Sequence, residues 1–144
     1  MTRDRRIRVT IGDQVLTGTL EYELAPRTCA AFVKLLPLRG ELLQARWSGE
    51  AAWVPLDGLD LGVGAENQMH RPLPGHVLFY PAGMSSTEIL VPYGVTAFAA
   101  KCGPLSGNHF LTLENDGGRL AEIGRRVWRD GVQDIEFAVM AEVP

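Results

Sequence analysis

The chain has 144 residues, 46% of them hydrophobic and 22% charged, with a formal net charge of −3. That length predicts one domain over 1–144, able to bury roughly 70% of its unfolded surface without a disulfide or a metal, and the composition excludes intrinsic disorder. Nothing gives it the positive field a nucleic-acid partner needs, no run approaches the ~18 apolar residues of a membrane helix, and Cys29 and Cys102 form no C-x-x-C pair. With no apolar stretch after the charged start, the expected address is the cytoplasm, thiols reduced.

The predicted elements begin with Arg3, Arg5, Arg6 and Arg8, broken by Asp4, a terminus entering a strand with a solvated face. Ile7, Val9 and Ile11 alternate with polar residues, Gly12-Asp13 turns the chain, and a second strand runs to about Glu23 with Leu16 and Leu20 on one face. The period then changes. Thr28 stands where an N-cap belongs, Phe32 and Leu36 lie four apart beside Cys29 and Val33, and Pro37 ends a short helix. Strands at Leu42 to Trp47 and Glu50 to Leu56 flank Ser48-Gly49. Residues 57 to 74 read as a long Gly-, Pro- and Asp-rich loop, either solvated or a lid over a site. Further strands follow at His76 to Tyr80, Thr87 to Val91, Thr96 to Cys102 (set off by a turn at Pro92-Tyr93-Gly94) and His109 to Leu113. Gly117-Gly118 opens a second helix carrying Leu120, Ile123, Gly124 and Val127, with Glu122 one turn before Arg126, and Gly131 stops it. Ile135, Phe137, Val139 and Ala141 alternate along a last strand expected to pair with the first. About eight strands and two short helices make a mainly β fold, most simply closed as a barrel to remove its edges.

Leu24-Ala25-Pro26-Arg27-Thr28 with Phe32 and Leu35 resembles the first helix of the cyclophilin barrel. The stretches Tyr80-Pro81-x-Gly83, Thr87-Glu88-Ile89-Leu90, Tyr93-Gly94, Lys101-x-Gly103 and Gly107-Asn108-His109-Phe110 resemble a small bacterial branch of the cyclophilin-like superfamily, a domain of unknown function. The resemblance implies a closed cyclophilin-like β-barrel with two helices, and no activity. True cyclophilins carry a catalytic face of the form F-H-R-x-x-P-x-F-x-x-Q-G-G. Here Gln44 to Trp53 offers Arg46 for the Arg but lacks the Phe and Gln-Gly-Gly partners.

Six residues emerge as site candidates. His109 titrates near neutrality and suits a general base, or else is a strand-edge histidine bonded to backbone. Glu88 lies in an apolar strand: inside a barrel it needs a partner such as Lys101 or Arg46, outside it is a solvated charge. These two are the candidate proton carriers. Lys101 and Arg46 suit an anionic or carbonyl group, Tyr93 a pocket wall, and Asn108 a ligand hydrogen bond. Lys101 and Cys102 are expected on opposite faces of one strand, a Cys102–His109 dyad is conceivable, and Trp47 at a barrel mouth is a second possible wall. Glu66 with His70 falls short of a metal motif, Gly103 to Asn108 lacks a phosphate-loop ending, and no cofactor signature is present. The expected function is binding, with conversion open, of a small polar or anionic molecule. The alternatives are a peptidyl-prolyl isomerase acting through Arg46, and a non-catalytic protein-interaction or oligomerisation module, with a homo-oligomer among the partners it allows.

Overall fold

A computed structural model describes residues 5–140. The expected positions Arg3, Asp4 and Ala141 lie outside them. The strands are β1 (Arg6–Ile11), β2 (Gln14–Leu20), β3 (Leu38–Gln44), β4 (Gly49–Pro55), β5 (Gln68–Met69), β6 (His76–Tyr80), β7 (Glu88–Thr96), β8 (Ala99–Ala100), β9 (Gly103–Pro104), β10 (Gly107–Leu113) and β11 (Gln133–Val139), with helices α1 (Pro26–Val33) and α2 (Arg119–Asp130).

Eight antiparallel strands close into a barrel in the order β2-β1-β11-β3-β4-β7-β6-β10, and β10 returns to β2. The seam depends on a missing side chain. Gly18 lies under β10, and a Cβ there would stand 2.8 Å from Leu111 Cδ1. Inside, Val9, Leu16, Val54, Phe79, Ile89, Leu111 and Phe137 are buried in one core. Phe32 of α1 enters it edge-on to Phe110 at 4.8 Å and to Phe137 at 5.4 Å between ring centroids. α2 adds Leu120, Ile123 and Val127, the stripe its spacing predicts.

On the outer face of β6 and β7 a second apolar cluster forms from Leu78, Tyr80 and Leu90. Its roof is the segment after β7, where Phe98 and Leu105 point down and the two-stranded β8–β9 hairpin stands at the edge. Burying two such side chains stabilises the roof by ~1.5–3 kcal/mol each. Ser48 Oγ fixes it to the β3–β4 turn, accepting from Ala99 N–H at 3.0 Å and donating to the Ala99 carbonyl at 3.1 Å.

Several sequence expectations are corrected by this packing. Thr28 does not cap α1. The N-cap is Ala25, Pro26 begins the helix where its missing N–H is harmless, and the free amides are taken by Glu66 from the long loop. β7 does not turn at Pro92-Tyr93-Gly94; it runs on to Thr96, with Pro92 beside a register shift against β4 that tolerates its absent donor. Consequently no continuous strand runs from Thr96 to Cys102, only the two-residue β8, and Lys101 and Cys102 form the exposed tip of the small hairpin rather than opposite strand faces. β2 ends at Leu20, β3 spans Leu38–Gln44 and leaves Arg46 and Trp47 in a turn, and Arg126 pairs with Asp13 at 2.7 Å. The long loop is a strap rather than a solvated loop. Leu59, Leu61 and Val63 pack on the core, and β5 pairs with the start of β10.

Candidate functional site

A cavity of about 200 Å³ opens at the edge of the roofed cluster, between the β3–β4 turn, the start of β7 and the β8–β9 hairpin. That is smaller than the ~300–1,000 Å³ usual for drug-sized ligands. Trp53, Ala45, Ala99 and Ala100 make the apolar part of its wall. Ser85 and Ser86 come from the turn before β7, and Trp47, 52% exposed, stands at the mouth.

Glu88 lies on the wall of this cavity. As the first residue of β7 it shares the outer face with Leu90, so strand alternation turns it away from the barrel interior. It is nevertheless only 8% exposed, because the hairpin covers that face. Among the described residues its carboxyl meets no hydrogen-bond donor and no cation within ion-pair distance. With burial the sole cause, its pKa is pushed up from 4.5 to about 7. Two cations share the cavity without pairing with it. Lys101 is exposed at the hairpin tip, and Arg46 is exposed in the turn with its guanidinium carbon 6.0 Å from the Trp47 ring centroid. The site thus holds a buried acid near its neutral point and a basic mouth.

The structure brings Glu88, Arg46 and Lys101 together and places the other three candidates elsewhere. Tyr93 packs on the core side against α2, and its hydroxyl donates to Gln44 Oε1 at 2.6 Å. Burial raises its pKa, the Gln44 bond opposes, and the Glu50 charge adds to the rise. Asn108 is fully buried and committed to the strap: its Nδ2 donates to Thr28 Oγ1 and to the Gly64 carbonyl, and its Oδ1 accepts from Glu66 N–H at 3.1 Å. That leaves it no group to offer a ligand at the Glu88 cavity. Burial pushes the Glu66 carboxyl up, but hydrogen bonds from Thr28 and Arg27 outweigh it and hold the pKa low.

His109 stands on β10 beyond β6. Glu88 pairs with Tyr80 and His109 with Leu78, which by strand spacing separates them by ~12 Å. Its ring stacks on His76 at 4.5 Å between centroids. Its Nε2 lies 2.9 Å from Thr112 Oγ1, and that hydroxyl donates to Glu21 Oε1 at 2.9 Å, so Nε2 carries the proton shared with Thr112. Burial lowers the His109 pKa, His76 lowers it further, and Glu21 opposes. Cys102 lies at the hairpin tip with its Sγ 3.7 Å from the Met84 carbonyl, so the Cys102–His109 dyad is not formed. Residue patterns gave no sign of Trp53, Ser85 and Ser86 as cavity residues, nor of His76 as the partner of His109. Trp53 is opposite Leu90 in register, a pairing no local pattern reveals. Among the described residues no group of three or more His, Cys, Asp or Glu is placed to hold a metal ion. No helix among them is long and apolar enough to cross a membrane.

The chain belongs to the DUF3830 family, described as protein of unknown function, whose profile matches residues 9–139. No curated protein matches it. Among solved structures it is similar to McbB, determined in complex with tryptophan, with a TM-score of 0.74 at 16% identity; the match covers 96% of this chain but 46% of McbB, so the chain spans about half the length of that relative. It is also similar to the hypothetical protein AF2241 from Archaeoglobus fulgidus, with a TM-score of 0.60 at 18% identity and 95% of both chains covered. At these identities the likeness is one of fold.

Proposed function

We propose that the chain binds a small polar molecule carrying an anionic group in the cavity between Trp53, Glu88 and the β8–β9 hairpin. The observation that carries this is Glu88, a buried carboxyl with no partner among the described residues, on the wall of a cavity whose mouth bears Arg46 and Lys101. Burying an ionisable group without a partner is destabilising, and such groups cluster at functional sites. An interaction module calls for a concave surface without clustered ionisable groups, and this cavity has three. Prolyl isomerisation has no comparable support, since Arg46 lies in a turn against Trp47 instead of along a strand face. McbB was determined in complex with tryptophan, a small polar molecule bearing a carboxylate, which agrees with this reading. The closed barrel with two helices likewise supports a place in the cyclophilin-like superfamily, and a cytoplasmic setting fits an exposed Cys102. If the ligand is converted, Glu88 is the group placed to move a proton.

The test is tryptophan fluorescence in a W128F background, which leaves Trp47 and Trp53 as the two remaining indoles of three. Titration with a panel of small carboxylates, phosphate monoesters and amino acids is expected to give a saturable change for at least one compound, weakened tenfold or more by R46A/K101A. A panel without saturable responses, or responses indifferent to that double variant, overturns the proposal.

A further inference from the structure

The charges in this cavity are segregated, and the segregation constrains what fits. Glu88 is covered by the hairpin, whereas Arg46 and Lys101 are exposed at the entrance and neither reaches it. A purely anionic ligand held by the two cations brings a second negative group toward Glu88 and leaves that carboxyl unanswered. A purely cationic ligand answers Glu88 but must pass two cations that then face nothing. A molecule with both charges satisfies each group at once, its donor end inward and its acid end outward. Between the poles the wall is apolar, with Trp53, Ala45, Ala99 and Ala100, and the volume of about 200 Å³ admits a short skeleton.

Resting on the reading of this cavity as the ligand site, we infer that the ligand is a small zwitterion of the amino-acid class, its ammonium on the Glu88 carboxylate and its carboxylate between Arg46 and Lys101. Trp47 at the mouth and Trp53 within it offer apolar indole surface to a side chain. No covalent bond is made or broken in this step; the ammonium supplies the hydrogen bonds that Glu88 lacks among the described residues.

Isothermal titration calorimetry of the whole chain with the twenty proteinogenic amino acids and 4-aminobutyrate tests this. The tightest binder is then compared with its decarboxylated amine and its deaminated acid. The expected result is a preference of tenfold or more for the zwitterion over either analogue. E88Q is expected to erase the advantage over the deaminated acid, and R46A/K101A the advantage over the amine. A deaminated acid that binds as tightly as the amino acid, or an advantage that survives E88Q, overturns the zwitterion while leaving the anion-binding cavity standing. The zwitterion is likewise overturned if no amino acid binds although other anions of the fluorescence panel do. Silence in both experiments removes the cavity reading itself.

Discussion

The Tyr93 ring occupies the place where a side chain on Gly124 would begin: a Cβ built on Gly124 would lie 2.1 Å from Tyr93 Cγ. The glycine is buried in α2, where helix propensity alone favours alanine by about 1 kcal/mol. Overpacking outweighs that gain, because the ring is held from the other side by the Tyr93–Gln44 hydrogen bond. G124A is expected to lower stability by about 2 kcal/mol in urea unfolding. In a Y93A background, which removes the obstructing Cγ and both Cδ atoms, the cost of G124A is expected to shrink.

Glu88 makes stability depend on pH in a defined direction. Its pKa is about 7 in the folded chain and 4.5 as a reference. The folded state therefore keeps a proton that the unfolded state has released, and stability falls as pH rises from about 4.5 through 7. Arg46 and Lys101 at the mouth, and Tyr80 and Pro55 on the paired strands, face it without forming a bond. At about 1.36 kcal/mol per pH unit, E88Q is expected to stabilise the chain by up to about 3 kcal/mol above pH 7. Near pH 4 the gain vanishes. Melting curves at pH 4 and pH 8 measure the difference.

His109 acts in the opposite sense. His109 has its pKa lowered by burial and by His76, so as pH falls through ~6.5 the unfolded chain takes up a proton first and stability declines. The decline ends below the folded pKa. E88Q provides a background free of the opposing Glu88 slope. There, H109Q keeps a donor for Thr112 and is expected to flatten the loss of melting temperature between pH 7 and pH 5.

Asn108 holds the strap to α1 through three hydrogen bonds, one of them to Thr28 beside the Glu66 carboxylate. Its removal strands buried polar groups on both elements. N108A is expected to destabilise the chain by about 3 kcal/mol and to speed amide exchange over residues 59 to 70. Ligand affinity at the Glu88 cavity, measured well below the melting temperature, is expected to stay unchanged.

Cys102 is exposed at the hairpin tip beside Lys101, whereas Cys29 lies on the buried face of α1. A thiol reagent is expected to titrate one group in the native chain and the second after denaturant. Labelling Cys102 with a bulky maleimide is expected to weaken ligand binding, since the hairpin borders the cavity.

Much of the barrel was legible in the residues. Alternation in Ile7, Val9 and Ile11, the turn at Gly12, the 3.6-residue stripe Leu120, Ile123 and Val127 and the stop at Gly131 are local signals, and each appears in the structure. The candidate site was half legible. Arg46, Glu88 and Lys101 stand out for their chemistry, and the fold gathers them on one cavity. Tyr93, Asn108 and His109 stand out on the same grounds, yet their polar atoms are occupied by Gln44, the strap and Thr112. A hydrogen-bonding side chain looks the same in a sequence whether its partner is a ligand or a residue 44 or 80 positions away.

The sequence by itself determined the strand and helix periods, the apolar faces and the charge balance, because those follow from spacing within a few residues of chain. Only the tertiary structure decided where Glu88 stands relative to water. Alternation put it on the outer face with Leu90, where a carboxylate is ordinarily solvated. The segment after β7 then folds back and, tied by Ser48 to Ala99, covers it. Burial of an outward-facing residue depends on what a distant segment does over it, and strand period carries no record of that.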